Sequence, residues 1–153
     1  MNKHIRILLL EAELADARLI AQELRLGGIT FSLQRVDTRQ YFQYELENHT
    51  PDLILADHEV PSFGALPALA MAQEKCPDVP FIVVTRRHGE DAVVEALKKG
   101  ATDYVLKNQL ARLAPSVRCA LRESEGAQRK YRDYLQLMAE CCSDALFATT
   151  PAK

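Results

Sequence analysis

Four residues with reactive side chains each stand at the end of a short apolar run. They are the acids Glu11 and Asp57, the hydroxyl residue Thr85 and the base Lys107. A carboxylate can act as a nucleophile or bind a cation, and an ammonium group beside it offsets negative charge. A single polar residue at a strand end is ordinary in an α/β protein. Four such positions in order favour a shared site.

The apolar runs are rich in leucine and β-branched residues, which is typical of strands. The predicted strands are Ile5–Leu10, Phe31–Val36, Leu53–Ala56, Phe81–Val84 and Tyr104–Leu106. Between them, apolar residues recur at helical spacing, as in Ala17, Ile20, Ala21 and Leu24. Asp37 or Thr38 is the expected N-cap of the second helix. The sequence therefore predicts five strands that alternate with helices.

The alternation of strands and helices predicts the fold. Strands joined through single helices run parallel and need right-handed crossovers. Leu53–Ala56 and Phe81–Val84 are apolar on both faces, as buried parallel strands are. We predict an α/β fold, a (βα)5 doubly wound parallel sheet over about residues 4–122. Ligands bind beyond the carboxyl ends of such strands, where the four reactive residues fall.

Composition excludes several classes of protein. The 153 residues are 48% hydrophobic and 26% charged, which is typical of one globular domain. The formal net charge of −2 gives no reason to expect nucleic acid as a partner. The longest apolar run, Ile5–Leu10, contains Arg6 and is too short to span a membrane, so we expect a cytoplasmic protein. Four cysteines without metal-type spacing are expected to be reduced packing residues.

Several segments resemble the receiver domain of two-component response regulators, over about residues 5–121. The similarity lies in Ile7–Glu11, in Pro51–Asp57 with Pro61 and Gly64 behind it, in Val83–Thr85 and in Gly100–Lys107. The resemblance implies a flavodoxin-like strand order of 2-1-3-4-5. It also implies a signalling phosphoprotein rather than an enzyme, with at most self-phosphorylation from small phosphodonors.

The resemblance implies a role for each reactive residue. Asp57 matches the aspartate that accepts a phosphoryl group from a histidine kinase or phosphotransfer protein. Thr85 matches the hydroxyl that bonds the phosphoryl oxygen, and Lys107 matches the lysine that supplies positive charge. Tyr104 matches the aromatic that acts with Thr85 as a switch toward the output face. A half-buried aromatic of an edge strand explains Tyr104 equally well.

The cofactor implied by the resemblance is Mg²⁺, with Glu11, Asp57 and the backbone carbonyl of Glu59 as ligands. The family usually has a second acidic residue after the first strand, where this chain has Ala12. Loss of one carboxylate weakens a site that has few protein ligands. Glu13 lies on the same side as Glu11 in an extended strand end, so an unusual loop would make it a replacement.

A second departure follows Thr85, where the family usually has a small residue and this chain has Arg86-Arg87-His88. One interpretation is a solvated basic loop. The alternative is that the Arg86 guanidinium folds over the acidic groups and neutralises Glu11 and Asp57 in place of the metal.

The sequence beyond the receiver-like part has helical character. We assign residues 1–122 to the receiver domain and residues 123–153 to a helical linker or coiled-coil extension. The predicted heptad positions are Val117, Leu121, Ser124, Gln128, Tyr131, Leu135, Met138, Cys142 and Ala145. This seam predicts either a homodimer or a helix folded back on its own domain. Residues 142–150 resemble the entry into a PAS sensory domain, which would make the chain part of a longer or truncated protein.

Two functions remain open at this point. The first is a receiver that accepts a phosphoryl group on Asp57, with an efficiency lowered by Ala12. The second is a pseudo-receiver that acts as a phosphorylation-independent dimerisation or protein-interaction module. Intact Asp57, Thr85 and Lys107 favour the first, whereas Ala12 and Arg86 favour the second.

Overall fold

The computed structural model describes residues 3–86, 89–126, 133, 135 and 136. The chain divides into two units, Met1–Leu121 and Arg122–Lys153. The strands of the first unit are β1 (Ile5–Leu10), β2 (Phe31–Val36), β3 (Leu53–Ala56), β4 (Phe81–Thr85) and β5 (Asp103–Leu106). Its helices are α1 (Leu14–Leu26), α2 (Arg39–Asn48), α3 (Ala65–Lys75), α4 (Glu90–Lys98) and α5, which begins at residue 113 and covers residues 113–121 of this unit.

The strands form one parallel sheet in the order β2-β1-β3-β4-β5. This confirms the predicted (βα)5 fold and its strand order. Three strands have the predicted bounds, whereas β4 extends to Thr85 and β5 begins at Asp103. A 3-10 helix, Lys107–Arg112, which the sequence pattern did not indicate, separates β5 from α5.

The two faces of the sheet bury two apolar layers. Alternate residues of β1 illustrate the division, since Leu8 packs with α2, α3 and α4 while Leu9 packs with α1 and α5. Burying one such leucine contributes roughly 2 kcal/mol to stability. The layers therefore hold the strands rigidly, and with them the residues at the strand ends.

Local signals in the sequence explain the helix ends. Thr38, one of the two predicted caps, accepts a hydrogen bond from the Tyr41 amide at 3.2 Å. At the end of α1, a Cβ on Gly27 would lie 2.3 Å from the Cβ of Ala114. Glycine is required there because α1 and α5 approach too closely for any side chain.

In the second unit, residues 122–126, 133, 135 and 136 are helical. Five predicted heptad positions, namely Gln128, Tyr131, Met138, Cys142 and Ala145, lie outside the described residues, as do the PAS-like segment at residues 142–150, Arg87 and His88. Leu135, a further heptad position, is described and is exposed. No helix in the described part of the chain is long and apolar enough to cross a membrane.

Candidate functional site

The parallel register brings the four reactive residues to one edge of the sheet, here called the carboxyl edge. Leu10 of β1 pairs with Ala56 of β3, so the next residues, Glu11 and Asp57, lie side by side. In the same way, Thr85 ends β4 opposite Leu106 of β5, and Lys107 follows. The predicted convergence of these four residues is therefore present in the structure.

Lys107 lies at the centre of this edge, and its side chain is 5% exposed. Its Nζ lies 2.7 Å from Glu11 Oε1, 2.8 Å from Asp16 Oδ2 and 2.6 Å from Asp57 Oδ2. We call these three carboxylates the acidic cluster. Burial opposes the charge on Lys107, but its hydrogen bonds to the three acids outweigh that effect and raise the pKa of the ammonium group.

Asp57 accepts hydrogen bonds from three different residues. Its Oδ1 accepts hydrogen bonds from the Thr85 hydroxyl at 2.5 Å and the Glu59 amide at 3.0 Å, while Oδ2 accepts from Lys107. Burial raises the pKa of this carboxyl, but the bonds from Lys107 and Thr85 reverse the balance and leave the pKa below its ordinary value. Asp57 is therefore a buried carboxylate held in its ionised form.

The pKa of Glu11 shifts in the opposite direction from that of Asp57, although both carboxylates contact Lys107. It is 1% exposed, and its Oε2 accepts a hydrogen bond from the Glu13 amide at 3.1 Å. Burial outweighs the hydrogen bond from Lys107, so the pKa of Glu11 is raised. The proton therefore favours Glu11 over Asp57, because one ammonium group does not fully offset both buried acids.

Asp16 belongs to the cluster, and the sequence reasoning missed it. It lies in the first turn of α1, where an acid interacts favourably with the helix dipole. Side chains tilt toward the N-terminus of their helix, which for α1 is the carboxyl edge. The available signal was an acidic residue at this position of the helix predicted after β1.

Arg86 lies over the cluster, but its partner is not the predicted one. Its Nη1 and Nη2 donate to the two oxygens of Asp16, the Nη2 bond being 2.8 Å long. Within the described residues it bonds to Asp16, not to Glu11 or Asp57. The prediction that it neutralises those two acids by direct pairing is thus wrong in its partner. The bond to Arg86 is the main reason that the pKa of Asp16 is lowered.

The chemistry of the donor atoms decides whether this edge of the sheet suits Mg²⁺. Mg²⁺ prefers oxygen ligands and commonly keeps several waters beside one or two carboxylates. Glu11 and Asp57 provide two carboxylates, and the Glu59 backbone is held at Asp57 by its amide. Among the described residues no three acidic, histidine or cysteine side chains are arranged as a ready metal site. Two carboxylates with water are nevertheless sufficient, so the residues fit a partly hydrated Mg²⁺.

Ala12 and Glu13 do not add a ligand to the cluster. The Ala12 side chain packs against the apolar layer that contains Leu10, and it has no oxygen to donate. The Glu13 side chain is exposed to solvent, so the loop does not turn it inward. The helical Asp16, rather than Glu13, is the additional acid that reaches the cluster.

Tyr104 lies in β5, three residues before Lys107. It is buried rather than half-buried, and its ring lies 5.6 Å from the ring of His58, centroid to centroid. His58 follows Asp57 directly, so the aromatic pair connects the chain beside the acidic cluster to the middle of β5. Arg112 donates a hydrogen bond to the Tyr104 carbonyl at 3.2 Å.

The chain matches known proteins over most of the first unit. The family model of the response regulator receiver domain matches residues 7–118. The regulatory protein LuxO of Vibrio cholerae is 37% identical over 75 residues, which cover 48% of this chain and 16% of LuxO. The two-component response regulator-like APRR9 of Arabidopsis thaliana is 26% identical over 155 residues, which cover 94% of this chain and 33% of APRR9. The chain thus spans a third or less of either relative.

Solved structures of receiver domains have the same fold as the first unit of this chain. A CheY-like response regulator receiver domain protein from Methanospirillum hungatei is 24% identical with a TM-score of 0.70, over 82% of this chain and 99% of that chain. The receiver domain of the Francisella response regulator 1452 is 18% identical with a TM-score of 0.68, over 78% of this chain and 98% of that chain. At this level of identity the likeness shows the shared architecture alone.

Proposed function

Because the chain belongs to the response regulator receiver domain family, we propose that it accepts a phosphoryl group on Asp57 in two-component signal transduction. The observation that carries the proposal is the bonding of Asp57. One of its oxygens bonds to the Thr85 hydroxyl and the other to the Lys107 ammonium. This arrangement presents a carboxylate nucleophile with positive charge beside it.

The phosphoryl donor is a histidine kinase or a phosphotransfer protein. An oxygen of Asp57 attacks the phosphorus, and the new O–P bond forms as the P–N bond to the donor histidine breaks. The bonding electron pair leaves with the imidazole nitrogen, which then takes up a proton. The lowered pKa of Asp57 keeps the nucleophile ionised at neutral pH. Two-component donors of this kind place the exchange in the cytoplasm.

Charge compensation is the main demand of this transfer, because negative charge is spread over the phosphoryl oxygens. Lys107 is already within 2.6 Å of Asp57 and supplies one positive charge. Mg²⁺, held by Glu11, Asp57 and the Glu59 carbonyl, supplies two further charges when bound. Ala12 removes one family ligand, so the proposal includes a lowered efficiency of phosphorylation.

The signal leaves the site through Thr85 and Tyr104 in this proposal. The Thr85 hydroxyl now donates to Asp57, and a phosphoryl oxygen is a competing acceptor for the same hydroxyl. A shift of Thr85 changes the end of β4, which pairs with β5 at Leu106, two residues beyond Tyr104. The two residues thereby act as a switch by shifting the population of states of the output face.

The chain beyond residue 122 is proposed to carry the output. A coiled coil formed by the predicted heptad positions from Ser124 onward would join two copies as a homodimer, and a PAS-like domain would follow it. Val117, the first predicted position, is instead buried in the apolar layer that contains Leu9. The homodimer predicts a concentration-dependent mass in sedimentation equilibrium. A chain that stays monomeric over the accessible concentrations would contradict this part of the proposal.

The test of phosphoryl acceptance is incubation of the full chain with a small acyl phosphate and Mg²⁺, read by intact mass. We expect the natural chain to gain one phosphoryl group and Asp57→Asn to gain none. The matched control is Asp52→Asn, because Asp52 is an exposed aspartate that accepts a bond from the Arg6 amide, remote from the cluster. This control should be labelled like the natural chain.

Ala12→Asp separates the two candidate functions. If the missing ligand only slows the transfer, this variant is labelled faster than the natural chain and both are labelled at Asp57. The pseudo-receiver is favoured by the specific bond between Arg86 and Asp16, which supplies positive charge without a metal. Label confined to Ala12→Asp would establish the pseudo-receiver, and label on Asp57→Asn would overturn the assignment of Asp57.

A further inference from the structure

Asp16 brings to the acidic cluster a carboxylate that Ala12 lacks. Ala12 lies between β1 and α1, and Asp16 lies four residues later in the first turn of α1. The Asp16 side chain is almost completely buried and accepts a hydrogen bond from Lys107 at 2.8 Å. A carboxylate therefore enters the cluster from the helix that follows the residue lacking one.

Asp16 shares its partner with the two acids that match metal ligands. Oxygens of Glu11, Asp16 and Asp57 all lie within 2.8 Å of the single Nζ of Lys107. The three side chains therefore present their oxygens to one small volume beside the Lys107 ammonium. The three acids carry one more negative charge, when all are ionised, than Lys107 and Arg86 offset.

Arg86 competes for the same carboxylate. Its guanidinium bonds to both oxygens of Asp16, which occupies the lone pairs that a cation would use. The Arg86 side chain is 60% exposed, so water can solvate it once the bond opens. The ion pair between Arg86 and Asp16 therefore blocks Asp16 from a cation, but it can open toward solvent.

We propose that Asp16 is a further ligand of the divalent cation, and that Arg86 withholds this ligand until the cation displaces the guanidinium. The proposal rests on the proposed cation-assisted receiver function. It gives the chain a metal site whose affinity is set by an internal competitor. The cation recruits a helical carboxylate in place of the one missing at Ala12.

The test is Mn²⁺ binding to the full chain without any phosphodonor, with free Mn²⁺ measured by its electron paramagnetic resonance signal. Arg86→Gln should bind Mn²⁺ about fivefold or more tightly than the natural chain, because Asp16 is released. Asp16→Asn/Arg86→Gln should bind about tenfold more weakly than Arg86→Gln, because the ligand is lost. Glu13→Gln removes a nearby exposed charge and should stay within about twofold of the natural chain.

Two results would overturn the proposal. Unchanged affinity in Arg86→Gln would show that the guanidinium does not compete with the cation. Equal affinity of Arg86→Gln and Asp16→Asn/Arg86→Gln would show that Asp16 is not a ligand. The comparison between these two variants excludes the trivial effect of a freed Arg86 that swings toward Glu11 or Asp57.

A rescue variant distinguishes the loss of a metal ligand from a folding defect. Ala12→Asp/Asp16→Asn restores a carboxylate at the other position and should recover at least the affinity of the natural chain. Failure of this variant, with its unfolding transition intact, would contradict the replacement of one acid by the other. If the Mn²⁺ results hold but Asp57 is not labelled by an acyl phosphate, the proposed function fails while this inference stands.

Discussion

At the carboxyl edge of the sheet, Glu11, Asp57 and Lys107 lie buried against one another, whereas charged residues at the opposite, amino edge line an open cleft. The cleft has a volume of about 470 Å³ and is lined by His4, Arg6 and His49 among others. His49 Nδ1 lies 3.3 Å from Glu45 Oε1, but the His49 side chain is 46% exposed.

Residue type alone does not make a reactive site, since both edges of the sheet carry charged side chains. A charged side chain at the amino edge is solvated, so its interactions with neighbouring groups contribute little to the stability of the fold. A charged side chain at the carboxyl edge is buried away from water, so its pKa depends on its hydrogen-bond partners. The pKa of Asp57 is therefore lowered while that of Glu11 is raised. Because these buried charges depend on their partners, a bound cation or phosphoryl group changes their interactions strongly.

The largest expected difference between the edges comes from removing one base at each. Lys107→Met leaves three buried acids without their common partner and should cost about 3 kcal/mol of unfolding free energy. Arg6→Met, at the amino edge, should change stability by less than about 0.5 kcal/mol. Urea unfolding at pH 7 measures both. Equal losses of unfolding free energy in the two variants would contradict the claim that charges are coupled at the carboxyl edge and solvated at the amino edge.

A smaller effect is expected for Asp16→Asn. The pKa of Asp16 is lowered in the folded state, so its ionised form stabilises the protein at pH values above its ordinary pKa of 3.8. We expect a loss of about 1 kcal/mol at neutral pH, since the Arg86 side of the bond is exposed to solvent.

The pH dependence supplies the check on this prediction. The stabilising contribution of Asp16 is lost as the pH falls below 3.8 toward the lowered folded-state pKa. The difference between the natural chain and Asp16→Asn in urea unfolding should therefore shrink on going from pH 7 to about pH 3. A difference that grows on acidification would mean that the ion pair does not stabilise the fold.

The smallest effect is expected at the amino edge. His49→Gln removes an exposed imidazole whose bond to Glu45 is solvated, and it should change stability by about 0.3 kcal/mol or less. Thermal unfolding followed by circular dichroism is sufficient to measure it. A loss above about 1 kcal/mol would show that the cleft contains a coupled pair after all.

Much of the fold was predictable because apolar periodicity and helix stops act locally. β1, β2 and β3 have the predicted bounds, and Thr38 is the cap of α2. The meeting of Glu11, Asp57, Thr85 and Lys107 was also predictable, because parallel strands place their carboxyl ends together. The order of the strands came from the family resemblance rather than from periodicity.

The remainder of the site depends on side-chain directions across different elements. Strand alternation suggested Glu13 as the additional acid, but α1 begins at Leu14 and helical geometry applies from there. Asp16 therefore points inward while Glu13 is exposed. Likewise, the partner of Arg86 depends on where α1 lies over the end of β4, which no pattern within either segment reveals.

Anomalous diffraction from crystals of the full chain grown with Mn²⁺ tests most directly whether the acidic cluster binds a divalent cation. We predict a peak at the carboxyl edge, bonded to Asp57 and Glu11, with the Arg86 guanidinium withdrawn from Asp16. This prediction is contradicted by crystals in which the only Mn²⁺ peak lies in the amino-edge cleft beside His4 or His49, or in which the acidic cluster still surrounds Lys107 without a metal at saturating Mn²⁺.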